Sequence, residues 1–225
     1  MSVRRRIWEV LMVCFVTGAM GGDLVQARAN EGVVEAESLT AAMAESAKFM
    51  VIHMNRGAGA SSLATAQMEA ALARKFGQEM VARGRKAVVM IEQALAAPET
   101  SSETLQVGTQ AVCYLREAIR HVHHVLQHSH HIEMSDSLRG GIAHVADGAR
   151  HARSSGNSVI TGQSYLALLA KSAAPGKTSP SVVAAARRLP FCGFGEESQH
   201  DREIFLDVEG GHGGHGAAPS SGDHR

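Results

Sequence analysis

Aromatic residues are scarce in this chain: its 225 residues include one tryptophan, two tyrosines and six phenylalanines. That scarcity excludes the stacking platforms that hold single-stranded nucleic acid. An excess of charge of one sign is also missing, since 22 Lys and Arg balance 22 Asp and Glu. No basic field gathers phosphates, so nucleic acid is not an expected partner. Only three cysteines occur, Cys14, Cys113 and Cys192, too few for a disulfide-built scaffold or a Cys-rich zinc finger. Proline is absent before Pro98 and again between Pro98 and Pro175, which leaves long stretches free to be helical. No period-two alternation of apolar and polar residues appears in that span, which argues against a β-rich fold.

The N-terminus reads as an export leader. Arg4-Arg5-Arg6 precede an apolar stretch from Ile7 to about Met20, broken only by Glu9, and Ala27-Arg28-Ala29 supplies a small-residue cleavage site. The stretch is about 14 residues, below the roughly 20 that a spanning helix needs. Val13 ahead of Cys14 makes a poor lipid-attachment site, and the surroundings of Arg4-Arg5 fit a twin-arginine signal poorly. Residues 1–29 are therefore expected to be removed, leaving a periplasmic or secreted protein without a membrane anchor. That mature part carries a charge of about −2 and all thirteen histidines. It retains Cys113 and Cys192, which in an oxidising compartment either pair or stay as two thiols; the sequence leaves both open.

From residue 30 to 174 the spacing predicts an all-α antiparallel bundle of about four to five helices. A first helix spans about 34–55 and stops at Arg56-Gly57-Ala-Gly59. A second, about 62–97, is capped by Ser61 or Ser62 and carries Leu72, Phe76, Met80, Val88, Ile91 and Leu95 on its seam, with Gly84 as a candidate break. Thr100 and Glu103 have capping-box spacing at the start of a third helix. Its seam is Leu105, Val112, Leu115, Ile119, Val122 and Leu126. A fourth helix from 135 or 136 is expected to end before Gly156, with Leu138, Ile142, Val145, Ala149 and Ala152 on its seam, and a shorter fifth to cover 157–171. Residues 175–209 read as an irregular extension with a short helical piece near 182–188. Residues 210–225 read as a disordered Gly/His tail.

Chemistry concentrates on the third and fourth helices. His121, His123, His124, His128, His130 and His131 put six imidazoles in eleven residues, and His144 and His151 follow. Imidazole is a ready ligand for Cu, Ni and Zn near neutral pH. His121, His124, His128 and His131 step by three and four, one helical row set roughly opposite the buried seam. His123 and His130 lie on the seam's flank. His144 and His151 stand about 10 Å apart along their helix, too far for one ion, so each needs partners from another element.

Several metal classes are poorly supported. There is no His-Glu-x-x-His for a metalloprotease, no Cys-x-x-Cys-His for haem, and no Glu-x-x-His in the helical part for a di-iron bundle. Glu69, Glu79, Glu92, Glu103, Glu117 and Glu133 all read as polar-face residues. Met43, Met50, His53 and Met54 share a face of the first helix, either a soft copper environment or core filler. His212 and His215 in the tail suggest a chelating arm or a low-complexity end.

The stretch Tyr114-Leu-Arg-Glu-Ala-Ile-Arg-His121, with Gly141-Ile-Ala-His144-Val-Ala-Asp-Gly-Ala-Arg-His151-Ala-Arg153, resembles the small metal-binding protein (SmbP-like) family. Those secreted bacterial proteins repeat His-Leu-x-Glu-Ala-Ile-x-His and His-Ala-x-x-Ala-x-x-His. The resemblance spans about residues 111–153 and implies a periplasmic four-helix bundle that binds divalent metals through surface histidines, with His121, His144 and His151 at ligand-type positions. Tyr114 stands where the family has His, and Ala73, Ala82 and Glu92 occupy polar rows of the nearly histidine-free second helix.

The expectation is a non-catalytic protein that buffers or sequesters Cu, Ni or Zn. The alternative is a helical interaction module whose histidine surface responds to pH. The sequence names no protein partner.

Overall fold

A computed structural model of the chain describes residues 3–97, 100–172 and 180–192, with residues 3–29, 180, 181 and 183 as backbone only. Four long helices, α1 (Val3–Ala58), α2 (Leu63–Leu95), α3 (Ser102–Glu133) and α4 (Leu138–Ser172), precede a short α5 (Pro180–Ala186). The architecture is the expected all-α bundle. Successive helices pack side by side, α1 closes against α4, and the α2–α4 diagonal touches only slightly. Cross-helix contacts fix the antiparallel sense: Lys86 reaches Glu35, Arg116 reaches Glu92, and Arg153 reaches Asn55. Among the described residues no helix is long and apolar enough to cross a membrane.

The core lies on the common axis and is filled by Met43, Met50, Met54, Met80, Ile91, Leu115, Ile119, Ile132, Leu166 and Leu169, all fully buried. Burial of each such side chain stabilises by about 1.5–3 kcal/mol. The three methionines of the α1 face are thus core filler, whose flexible thioethers fit gaps between helices.

Caps define the helix starts. Ser62 accepts from the Thr65 N–H at 3.2 Å to open α2. On α3 the cap is Ser101, accepting from the Thr104 N–H at 3.2 Å, one residue later than the spacing of Thr100 and Glu103 suggests. Glu103 then falls in the first turn. Its own backbone N–H and the neighbouring serine hydroxyls hold its carboxyl below the ordinary carboxylate range.

Three further expectations are corrected. Gly84 does not break α2. A Cβ there would stand 2.7 Å from Met43 Cε and 3.0 Å from Ile119 Cδ1, so glycine lets α1, α2 and α3 converge. The expected fourth and fifth helices are one continuous α4, whose buried residues on either side of Gly156, among them Ala152, Ser155, Ser158 and Val159, keep one face covered. Seam membership also shifts at single positions. Leu105 is largely exposed near the helix start, whereas Ala73, read as polar-row, is fully buried.

The backbone of α1 runs unbroken through the segment read as a leader. At the other end, α5 and residues 187–192 lie along α3 and α4. Cys113 and Cys192 form a disulfide, with Cα atoms 6.2 Å apart. Tyr114 and Tyr165 stack at 5.9 Å and both donate to the Pro190 carbonyl, at 2.8 and 2.9 Å. The buried Gln110 side chain accepts from the Cys192 N–H at 2.7 Å. The readings of 193–209 as irregular and 210–225 as a disordered Gly/His tail lie outside the described residues.

Candidate metal centre

The α3 row His121, His124, His128 and His131 does not point to open solvent. In a four-helix ring each helix touches two neighbours, so its covered arc is wider than the apolar seam. The row falls in the part of that arc facing α4, and all but His131 are half-buried. Antiparallel packing brings His144 and His151 of α4 against it, supplying the partners from another element that their spacing requires.

The result is a ladder of six imidazoles between α3 and α4. At one end His151 has ring centroids of His124 at 4.7 Å, His121 at 5.5 Å and His128 at 5.7 Å. At the other, His144 has His131 at 5.0 Å and His128 at 5.8 Å. The closest approach is Nδ1 to Nδ1 between His121 and His151, 3.2 Å. A neutral imidazole carries one N–H and one lone pair, so these two rings hold opposite tautomers with one proton between them. Glu117 Oε1 lies 3.7 Å from His121 Nε2 and favours a proton on that nitrogen, leaving Nδ1 as lone pair.

Protonation of three of the ladder rings is opposed. Burial pushes the His121, His128 and His151 imidazoles below their ordinary value, His151 to about 4, helped by Arg120 at His121 and, at His128 and His151, by the neighbouring imidazoles, whose protons would repel a second one. Glu117 and Asp147 act in the opposite sense on His121 and His128. At neutral pH these rings are lone-pair donors.

His123 and His130 stand apart from the ladder. His123 lies towards α2, where burial and then Arg85 depress its pKa. His130 is exposed, 6.2 Å from the His131 ring.

Sequence reading missed a second site. Glu69, assigned to the polar face, is 8 % exposed, and its Oε2 lies 2.7 Å from Nδ1 of His53 across α1–α2. His53 also stacks on Phe76 at 5.5 Å. An i, i+3 or i, i+4 contact shows in a sequence; a pairing 16 residues apart across a helical turn does not.

Comparison with family models, with curated proteins and with solved structures returns no match for this chain. The site is therefore judged on its chemistry.

Among the described residues, no three His, Cys, Asp or Glu side chains already converge as a metal cage. Three of the ladder's ring contacts are stacked and two, His121–His151 and His128–His144, are tilted, and closing the rings round an ion requires side-chain torsions to turn. The donor set nevertheless fits a transition ion. Two nitrogens each about 2.0–2.1 Å from a tetrahedral ion stand about 3.3 Å apart, close to the 3.2 Å between His121 and His151. Among the described residues, His128 Nδ1 is buried without a hydrogen-bond partner, the state of a nitrogen able to accept a further bond.

Proposed function

We propose that this protein binds divalent transition metal, Cu, Ni or Zn, in the periplasm or outside the cell, as a buffer or sequestering agent without catalysis. The observation that carries the reading is the α3–α4 ladder: six imidazoles within ring contact, two of their nitrogens 3.2 Å apart. Imidazole-only sites favour Cu(II), Ni(II) and Zn(II) over harder ions.

Three further observations support it. The ladder is the part of the chain that resembles the small metal-binding protein family. The Cys113–Cys192 disulfide suits an oxidising compartment. Half-burial of the rings keeps several of them neutral, and it fits an exposed, pH-switched docking surface less well. Glu69 with His53 supplies one carboxylate and one imidazole, short of the set a di-iron bundle needs.

Isothermal titration of the purified chain with Cu(II), Ni(II) and Zn(II) at neutral pH tests the reading. Saturable binding of at least one ion, lost on alanine substitution of all six ladder histidines together, is expected. Absence of binding for all three ions overturns it.

A further inference from the structure

The ladder has an internal repeat. On α3 the pairs His121/His124 and His128/His131 are both i, i+3 and are offset by seven residues; on α4 His144 and His151 are offset by seven in the opposite direction. Antiparallel packing sets His151 against the first pair and His144 against the second, with His128 at the junction, its ring 5.7 Å from that of His151 and 5.8 Å from that of His144. One three-imidazole unit thus maps onto the other by a shift of two turns, about 10 Å.

An ion with imidazole bonds of about 2.0–2.1 Å cannot draw on nitrogens more than about 4.2 Å apart. With the units about 10 Å apart, no single ion reaches the outer ligands of both, His121 and His124 at one end and His131 and His144 at the other. We infer that the ladder is two separate metal sites in tandem, His121/His124/His151 and His128/His131/His144, each holding one divalent transition ion. This rests on the metal-binding reading and adds count, ligand partition and lability to it.

Each unit has its own supporting feature. In the first, His121 and His151 already have the nitrogen separation of two ligands on one ion, and Glu117 lies behind His121. In the second, the buried His128 Nδ1 has no hydrogen-bond partner among the described residues. Gly148 sits between His144 and His151 on α4, and a Cβ there would stand 3.3 Å from the His128 Cβ. A bare backbone at that point admits His128 to the interface between the two α4 rings. Three imidazoles also leave each ion at least one position for water or an incoming ligand, the open coordination of an exchangeable site rather than a closed structural one.

Native mass spectrometry of the full chain titrated with Zn(II) decides the partition, read as ions lost relative to the unsubstituted protein so that binding elsewhere cancels. H151A and H144A should each lose one ion and the double variant two; H151Q and H144Q, closer in volume to the parent, should repeat the pattern. Equal losses for both single variants and the double variant would mean one shared centre. That overturns the tandem assignment and leaves metal binding intact. No loss in the double variant takes the metal off the ladder and overturns both assignments, and no binding by the parent removes the metal reading itself. Independently of any substitution, Cu(II) electron paramagnetic resonance at two equivalents should show dipolar coupling between spins about 10 Å apart, and isolated-spin spectra at saturation would contradict two occupied units.

Discussion

His128 on α3 packs against Gly148 on α4 so closely that a Cβ on the glycine would stand 3.3 Å from the histidine Cβ, with Met54 Cε at 3.0 Å on the other side. The helix interface is therefore set by the absence of a side chain. Gly148→Leu should force the helices apart, at about 1–3 kcal/mol for overpacking. Urea denaturation should report that loss, and Zn(II) affinity should fall with it. Unchanged stability and affinity would show that the ladder does not depend on this contact.

The metal-free protein should lose stability as pH falls from about 7 towards 4. The folded-state pKa values of His121, His123, His128 and His151 are depressed, that of His151 to about 4. Above the unfolded value of about 6.5 the rings are neutral in both states and contribute no pH dependence. Below it the unfolded chain takes up protons more readily, so unfolding is favoured until the folded values are reached. Urea midpoints at pH 7.5, 6 and 5 should decrease in that order, and less steeply in His151→Gln. Equal slopes for the two proteins would remove His151 from the account.

Removing the disulfide should cost about 2–5 kcal/mol, because it closes a loop that spans most of α3 and α4. Cys113→Ser with Cys192→Ser, compared with the parent in guanidinium, measures this. Tyr114→Phe should cost less, about 0.5–1.5 kcal/mol for one hydrogen bond to Pro190. A disulfide variant as stable as the parent would mean that residues 187–192 add nothing to the bundle.

Glu69→Ala leaves the His53 ring without its partner between α1 and α2. A loss of about 1–3 kcal/mol is expected from the unpaired, nearly buried group. Metal stoichiometry should not change, since this pair lies away from the ladder. A variant that loses ions would place His53 in the binding site.

Much of the bundle was legible because a helix buried on one stripe must repeat its apolar residues at three and four. Leu115, Ile119 and Val122 show that stripe in sequence and are buried in the structure. The seven-residue step from His144 to His151 likewise demands partners from another helix, and the structure supplies them from α3. What periodicity cannot supply is the direction of the neighbour. Spacing alone sets His121, His124, His128 and His131 opposite the seam, whereas α4 packs over that row. The disulfide stayed open for a related reason: Cys192 follows an irregular stretch whose path depends on Tyr114, Tyr165 and Gln110. Gly84 and Gly156 read as breaks because glycine weakens a helix, but Gly84 serves close packing and α4 continues through Gly156.

The most direct test of the central claim is the imidazole nitrogen spectrum of the labelled chain, recorded by long-range ¹H–¹⁵N correlation while Zn(II) is added. The nitrogens of His121, His124, His128, His131, His144 and His151 should shift to metal-bound values, while His53 and His130 stay in place. A response confined to His200, His212, His215 and His224 would contradict the account and assign the metal to the C-terminal residues.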